Sequence, residues 1–296
     1  MIRIQSAVLS LILISRAHAG GVLVQGPPLE SGAKICVIGD AGSGKADQAM
    51  VGGAMAQEGC QRGLYVGDVI YERGLSGPDD PQFMQKFYKP YKHMLEGGVP
   101  FYMALGNHDY GGDPSAWIQL AQRHAGKIVF PHYYYAERSE DVCLMALATN
   151  LPNDQDQLAW VRATLAKFRA DGCKLSIAFG HHPYWSAGSH GDAEDDEKEF
   201  LEESILGKVD LYLAGHDHIL SDETSYRGTR LMVSGAGGKS LYEARARRAG
   251  GFAKSALGYL VLTIQREKDR VKARYDLVQV NKGSSTQTIH SKEIQG

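Results

Sequence analysis

Five apolar runs in this sequence end in the same way, in a glycine followed by aspartate, asparagine or histidine. The runs read ICVIGD, LYVGD, FYMALGN, SIAFGH and LYLAGH, and their last residues are Asp40, Asp68, Asn107, His181 and His216. Short apolar runs bounded by glycine are typical of buried β-strands. When a strand and a helix alternate along a chain, the strands form a largely parallel buried sheet, and polar groups at their carboxyl ends meet at one edge. The pattern therefore predicts an α/β fold with one polar site.

The segments between these runs have the periodicity of helices. The clearest spans residues 155–170, where apolar residues recur at helical spacing: Leu158, Val161, Leu165 and Phe168. After Tyr226 the sequence turns strand-rich, in TRLMVSG, GYLVLTIQ and VKARYDLVQ, which predicts a second sheet packed against the first. Because the candidate site residues extend from Asp40 to His218, no domain boundary is expected between them.

The ends of the chain have a different composition. Residues 1–19 resemble an export signal, with Arg3 before an apolar stretch and the small-x-small sequence Ala17-His18-Ala19 after it. That stretch is shorter than the roughly 20 residues a membrane span needs, so no stable membrane anchor is expected. Residues 20–33 are predicted to be a leader, residues 34–280 the folded domain and residues 281–296 a polar tail. The chain is therefore expected to be periplasmic or secreted.

Charge and cysteine content narrow the class of protein. The net charge is −2, without the basic excess of a nucleic-acid-binding domain, so no nucleic-acid partner is expected. The four cysteines, Cys36, Cys60, Cys143 and Cys173, show no C-x-x-C spacing, which disfavours a zinc ribbon. An oxidising compartment would permit disulfides, with Cys143 and Cys173 as candidate neighbours, whereas buried free thiols are an equal alternative.

The segment GDAGSGKADQ, residues 39–48, partly matches a phosphate-binding P-loop. Ala46 follows Lys45 where that motif needs a hydroxyl to bind magnesium, so the match fails at a functional position. A P-loop protein would bind ATP and magnesium through Lys45, independently of the histidines. The other interpretation is that Asp40 is the functional residue, that the glycines let the turn pass close to a site, and that Lys45 is solvated.

Seven residues have the side chains and spacing of metal ligands. In GHDH, His216 and His218 are two residues apart, so an extended segment would turn both imidazoles to one side and Asp217 to the other. In GDVIY, Asp68 and Tyr71 follow a strand at a turn. Seven ligands exceed the needs of one tetrahedral ion but suit two ions that share a carboxylate, the arrangement used for displacement at phosphorus. The candidates are Asp40, Asp68, Tyr71, Asn107, His181, His216 and His218.

The motifs GDAG, GDVIY, GNHD, AFGHHP and GHDH occur in this order. Together they resemble the motifs of the purple acid phosphatases, within the calcineurin-like metallophosphoesterases, and most of all those of the small, tartrate-resistant type. The resemblance continues through FPHYYY and GHHPYWSAGSHG and covers roughly residues 34–264. It implies a sandwich of two packed mixed β-sheets flanked by helices, with a dimetal site at the carboxyl ends of strands.

The resemblance also assigns the ligands to two sites. The first metal would be bound by Asp40, Tyr71, His218 and Asp68, and the second by Asp68, Asn107, His181 and His216. Three anionic oxygens and one nitrogen suit Fe(III) at the first site, while two imidazoles, an amide and a carboxylate suit Fe(II), Zn or Mn at the second. The implied activity is that of an acid phosphatase, in which a metal-bound hydroxide attacks phosphate monoesters. Substrates would be phosphorylated small molecules or phosphoproteins.

Two histidines match the family's non-ligand site histidines. They are His108, directly after Asn107, and His190, in SAGSHG, and one of them is expected to protonate the leaving group. His182 stands where small members often carry an aromatic residue, and its role stays open. The acidic run 192–199 reads as an exposed helix start, with a substrate-repelling or regulatory segment as the alternative. EARARR, residues 243–248, reads as either a solvated loop or an anion-binding segment. The alternatives left open are a phosphodiesterase or nucleotide hydrolase with the same site, and a metal-binding protein without turnover.

Overall fold

The computed structural model describes residues 20–295, and the predicted signal segment, residues 1–19, lies outside them. Two mixed β-sheets pack face to face. The seven-stranded sheet has, in spatial order, β15 (Thr286–Gln295), β14 (Arg270–Val280), β13 (Gly258–Glu267), β2 (Lys34–Ile38), β3 (Arg62–Val66), β4 (Phe101–Ala104) and β5 (Ile128–Val129). The eight-stranded sheet has β1 (Val22–Gln25), β6 (Tyr135–Ser139), β7 (Val142–Ala146), β8 (Leu175–Phe179), β9 (Leu211–Ala214), β11 (Thr229–Ser234), β10 (Leu220–Tyr226) and β12 (Phe252–Lys254). The predicted two-sheet sandwich is thus confirmed.

Each sheet has a parallel centre, formed by β2–β3–β4 in one sheet and β7–β8–β9–β11 in the other. The strand-rich C-terminal part does not form a second sheet of its own, contrary to the prediction. Instead β11 pairs with β9, while β13 pairs with β2. A strand's sequence carries little information about its neighbours, because pairing over long chain separations is decided by tertiary packing.

Side chains of the central strands alternate between two apolar layers. Leu144, Ile177 and Leu211 belong to the core between the sheets, together with residues of the opposite sheet. Their neighbours Cys143 and Ala178 face outward and pack with the helices that cover the eight-stranded sheet. Because both faces of these strands are buried, the strands read as continuous apolar runs.

Helices cover the outer faces of the sandwich. They are α1 (Ala46–Met55), α2 (Lys92–Glu96), α3 (Asn107–Tyr110), α4 (Ala116–Arg123), α5 (Gln155–Ala170) and α6 (Asp195–Ser204), with one π-helical turn at Met84–Tyr88. The predicted helix 155–170 is α5, which the Asp154 carboxylate caps by accepting hydrogen bonds from the Asp156 and Gln157 amides. The acidic run supplies the first turn of α6, where negative charge favours a helix start. None of these helices, within residues 20–295, is long and apolar enough to cross a membrane.

Both predicted end segments contribute strands. Residues 20–33 include β1, which pairs with β6, and residues 281–296 include β15, which pairs along its length with β14. The segment predicted as a tail is therefore an edge strand. The sequence of this strand is polar, and so gave no strand signal, because only Ile289 and Ile294 pack against the core.

All four cysteines are paired. Cys36 in β2 is bonded to Cys60 just before β3, and Cys143 in β7 is bonded to Cys173 just before β8. The structure thus selects disulfides over free thiols, and one of the two bonds joins Cys143 and Cys173, the candidate neighbours in the sequence. Disulfides persist in oxidising compartments, which agrees with export.

Candidate metal centre

The predicted ligands follow five strands that belong to two different sheets. Asp40, Asp68 and Asn107 follow β2, β3 and β4 of the seven-stranded sheet, while His181 and His216 follow β8 and β9 of the eight-stranded sheet. Three contacts join the groups: the His216 amide donates to Asp40 Oδ2 at 2.9 Å, and His181 Nε2 lies 3.5 Å from Asp68 Oδ1 and 3.0 Å from Asn107 Oδ1. The carboxyl ends of both parallel centres therefore meet at one edge.

The backbone at this edge turns sharply. Asp40 and Asp68 both have φ of 53°, and His216 has φ of 69°, values in the left-handed region that side chains seldom adopt. Such strained positions cluster at functional sites. The preceding glycines are required for space, since a Cβ on Gly106 would lie 2.1 Å from Asp68 Oδ1 and one on Gly215 2.4 Å from Asp40 Oδ2. In the GDAG segment itself, a Cβ on Gly42 would lie 1.9 Å from the Val69 carbonyl oxygen, so this glycine is also required for space.

The predicted first site brings together Asp40, Tyr71 and His218. The Tyr71 hydroxyl lies 3.1 Å from Asp40 Oδ1 and 3.0 Å from His218 Nε2, and its ring is buried. His218 Nδ1 is 2.6 Å from the Ser240 carbonyl, which can only accept, so Nδ1 carries the proton. The lone pair of Nε2 therefore faces Asp40 and Tyr71, which is the tautomer a metal ligand needs.

The predicted second site brings together Asn107, His181 and His216. His181 Nδ1 donates to the Val66 carbonyl at 3.0 Å, which leaves a lone pair on Nε2. That Nε2 lies 3.0 Å from Asn107 Oδ1 and 3.3 Å from His216 Nδ1. Two electron-pair donors, the Asn107 oxygen and His181 Nε2, thus face each other with no proton between them, an arrangement that a shared cation stabilises.

Asp68 lies between the two groups and is 2% exposed. Its Oδ1 accepts from the His108 amide at 3.0 Å. No lysine or arginine within residues 20–295 pairs with Asp68 or with the fully buried Asp40. Buried carboxylates are normally paired or bound to metal.

The protonation of the site also suits cations. Burial, and next the neighbouring Asp68 carboxylate, raises the pKa of Asp40 well above its usual value. Burial lowers the pKa of His216 to about 2 and also lowers the pKa of His181 and His218. The imidazoles are therefore neutral down to acidic pH, and the raised pKa of Asp40 is that of a buried carboxyl with no cationic side chain of residues 20–295 beside it. This donor set fits two metal ions.

The predicted proton donors lie at the edge of the site. His108 Nδ1 is 2.6 Å from the Glu72 carbonyl, and its Nε2 is 3.9 Å from Asp68 Oδ2. The exposed His190 stacks on the His216 ring with a centroid separation of 4.2 Å. Lys45, in contrast, is exposed just before α1, whereas Asp40 is buried in the site.

The GHDH segment differs from its predicted form. The Asp217 amide donates to the Gly215 carbonyl and the Ile219 amide to the Asp217 carbonyl, so the segment makes successive tight turns instead of extending. His216 consequently lies beside His181, in the predicted second site, and His218 beside Asp40 and Tyr71, in the predicted first site. Asp217 does point away from both, and its carboxylate accepts from the His190 amide at 2.9 Å and from the Ser186 hydroxyl.

Some supporting residues were missed in the sequence. The buried Asp109 carboxylate accepts from the amides of Val69, Ile70 and Gly106, and so binds the GDVIY turn to the GNHD turn. Thr149, after β7, accepts from the amides of His181 and His182. Asp109 was already within a motif, but nothing in the sequence singles out Thr149.

Comparisons with known proteins agree with this geometry. The model of the calcineurin-like phosphoesterase family matches residues 33–220. Purple acid phosphatase 4 of Arabidopsis thaliana is 30% identical over 78% of this chain and 76% of its own length. The tartrate-resistant acid phosphatase type 5 of Sus scrofa is 29% identical over 59% of this chain, and the chain spans only 57% of that relative's length. Among solved structures, GAP50, described as the anchor in the inner membrane complex of Plasmodium, shares the fold at a TM-score of 0.72 and 18% identity, covering 90% of this chain and 89% of its own.

Proposed function

The chain belongs to the calcineurin-like phosphoesterase family, with distant homology to purple acid phosphatases, and we propose that it is an exported acid phosphatase that hydrolyses phosphate monoesters. The family and the cluster of buried Asp40, Asp68 and His181 support a metal-dependent phosphoesterase with a dimetal centre. The proposal adds four points to this: the enzyme prefers monoesters, it works at acidic pH, it contains iron and it is exported.

The observation that carries the proposal is the placement of Tyr71. Its phenol oxygen lies within 3.1 Å of Asp40 Oδ1 and 3.0 Å of His218 Nε2, where a ligand of the first metal would lie. A phenolate and two carboxylates form a hard, anionic set that suits Fe(III) better than a divalent ion. The softer set of Asn107, His181 and His216, with shared Asp68, suits Fe(II), Zn or Mn.

When bound, the two metal ions would supply a nucleophile derived from water at low pH and would neutralise charge on the transferring phosphoryl group. The protein's own residues orient these ligands. The Ser240 and Val66 carbonyls hold His218 and His181 in the tautomer that offers Nε2. Such partners of a ligating histidine fix both its orientation and its basicity.

The leaving alkoxide of a monoester needs a proton, and His108 and His190 are the candidates. His190 is exposed, and its ring lies against His216, at the open side of the second predicted site. His108 is held by the Glu72 carbonyl with Nε2 towards Asp68. We assign the proton donor to His190, because its exposed ring is free to meet a leaving group, and a positioning role to His108.

The surroundings favour an anionic substrate. A cavity of about 560 Å³ lies beside the His190 loop and is lined by Gly188, Ser189, Glu243, Arg245 and Arg247. The charge of Arg248 is neutralised by ion pairs with Asp192 and Glu223. Arg245 and Arg247 form no ion pair within residues 20–295, so their positive charges remain available to an anion. Phosphorylated small molecules and phosphoproteins are both anionic, so both classes of substrate suit these arginines.

The experiment that tests the function uses the exported protein purified from the full chain. Metal content, visible absorbance and pH–rate profiles would be measured with 4-nitrophenyl phosphate and bis(4-nitrophenyl) phosphate. We expect two metal ions per chain including iron, faster turnover of the monoester, and an optimum in acid. A colourless, iron-free enzyme, a strongly alkaline optimum, or faster turnover of the diester would contradict the proposal. The last result would indicate a phosphodiesterase.

A further inference from the structure

Lys239 places its charge over the ring of the predicted ligand Tyr71 and has no assigned role. Its Nζ lies 4.3 Å from the centroid of that ring, which is buried. Among residues 20–295, no other lysine or arginine lies over the ring of a predicted metal ligand in this way. Position alone allows three roles: a surface ion pair, a contact with bound substrate, or an electrostatic effect on the ligand.

The turn that carries Lys239 is built against the predicted first site. The Lys239 amide donates to the Asp40 carbonyl at 3.0 Å, and the next carbonyl, of Ser240, accepts from His218 Nδ1 at 2.6 Å. Backbone groups of two adjacent residues therefore contact two predicted ligands, and the Lys239 side chain contacts a third, Tyr71. The backbone from which this side chain extends is thus fixed relative to the site.

Glu72 directs the Lys239 side chain to the ring. The Glu72 carboxylate accepts a hydrogen bond from Lys239 Nζ and belongs to the residue directly after Tyr71. The Lys239 side chain is only 20% exposed, whereas that of Glu72 is 71% exposed. Solvent therefore screens the negative charge of Glu72 more than the positive charge of Lys239, so a net positive field acts on the ring.

The effect of this charge depends on what Tyr71 binds. A neutral aromatic ring attracts a cation through its quadrupole alone. A phenolate, which the side chain becomes when its oxygen binds Fe(III), adds a full negative charge, so the attraction is stronger. Visible light absorbed by such a pair moves an electron from the phenolate to the iron, and negative charge leaves the ring beside Lys239. The ammonium group therefore increases the energy of this transition.

We propose that Lys239 is a positioning residue that tunes the Tyr71 ligand. Its ammonium group, held over the ring by Glu72, stabilises the phenolate bound to Fe(III) and shifts the visible absorption to shorter wavelength. The iron and the phenolate rest on the proposed function. The role of Lys239 is separable from them, because an uncharged side chain at this position would leave Tyr71 a ligand and change only the energy of its absorption.

The test is the visible spectrum of the purified, metal-loaded protein, with metal content measured on the same samples. In Lys239→Met, which keeps a long side chain without its charge, the band should move to longer wavelength by about 10–30 nm, the order of the Coulomb attraction between unit charges near a protein surface. Lys239→Arg keeps the charge and should shift the band much less. Lys92→Met, at an exposed position on α2, is the matched control and should leave the spectrum unchanged. All three variants should keep two metal ions per chain.

Four results would overturn the proposal. They are an unshifted band in Lys239→Met, a shift of that band to shorter wavelength, an equal shift in Lys239→Arg, and loss of iron from Lys239→Met. An unshifted band together with weaker binding of inorganic phosphate, measured by calorimetry, would instead assign Lys239 to substrate contact.

The spectrum is recorded without turnover, so failure of this inference differs from failure of the proposed function. A coloured wild type with an unshifted Lys239→Met variant contradicts only the role of Lys239. A coloured protein that shows the shift but hydrolyses no monoester contradicts only the acid phosphatase assignment. A colourless wild type contradicts the iron of the proposed function and this inference with it.

Discussion

His181 Nε2, at the end of a strand in one sheet, lies 3.5 Å from Asp68 Oδ1, at the end of a strand in the other. This contact links the two halves of the predicted metal centre across the sandwich. Both groups are almost fully buried, and Asp68 is the residue assigned to both metals. Its substitution should therefore affect both sites at once.

Asp68→Asn removes one negative charge while keeping the shape of the side chain. We expect fewer than two metal ions per chain, and kcat/KM lower by at least about 10²-fold, because a bound metal contributes several kcal/mol to the transition state. Metal analysis and steady-state kinetics would measure the two effects. Asp47→Asn, at an exposed acid in the first turn of α1, is the control and should change neither. Full metal content and activity in Asp68→Asn would contradict the bridging role.

Tyr71→Phe removes the phenol oxygen beside Asp40 and His218. If that oxygen binds Fe(III), the visible absorbance should disappear while the far-UV circular dichroism spectrum stays the same. The matched control is Tyr242→Phe, whose ring stacks on His218 at a centroid separation of 4.0 Å, and it should keep its colour. The opposite pattern would transfer the ligand role to Tyr242.

His190→Ala should reveal a proton donor through its dependence on the leaving group. Alkyl phosphates should be hydrolysed ~10²–10⁴-fold more slowly, and aryl phosphates, whose leaving groups need little protonation, much less so. Metal content should not change, and His93→Ala, at an exposed position on α2, should behave as the wild type. Equal losses on both substrate classes would mean that His190 binds substrate, which would make His108 the better candidate for the acid.

An ion-pair network away from the site should make the stability of the two-sheet sandwich depend on pH. The Asp222 carboxylate on β10 accepts from Tyr275 at 2.7 Å and His290 at 2.8 Å, both on the other sheet, and also pairs with Arg230. Burial opposes ionisation, but the hydrogen bonds from Tyr275, Arg230 and His290 outweigh it and lower the pKa of Asp222 to about 2. A carboxyl whose pKa falls on folding stabilises the fold above its unfolded pKa near 4, and this contribution is lost as the pH falls towards 2.

Asp222→Asn should accordingly lower the free energy of unfolding by about 1–3 kcal/mol at pH 5–7. The difference from wild type should shrink between about pH 4 and pH 2. Urea denaturation at several pH values would measure it, with Asp79→Asn as the control because Asp79 is 87% exposed in its ion pair with Arg123. The control should change stability by less than about 0.5 kcal/mol. If the difference in unfolding free energy between wild type and Asp222→Asn grew on acidification, folding would not lower the pKa of Asp222.

Local patterns in the sequence determined the elements and the chemistry of this protein. The apolar runs that end in Gly-Asp, Gly-Asn or Gly-His predicted strands and ligand types, because strand burial and the turn after a strand depend on adjacent residues. Helix α5 was predicted with its bounds from its apolar spacing, which is a short-range signal, and the Asp154 cap that the structure adds is local as well. The motif order was specific enough to indicate the family.

Tertiary structure alone decided how these parts are distributed. The motif strands divide between two sheets, and the polar β15 joins one of them, because pairing between distant strands leaves little trace in either sequence. The tight turns of GHDH direct His216 towards His181 and His218 towards Asp40 and Tyr71, which spacing in an extended chain could not predict. Thr149, 33 residues before His182, accepts from the amides of His181 and His182 and so fixes the turn after β8. Such a contact leaves no trace in the local sequence, because only the folded chain brings β7 and β8 together.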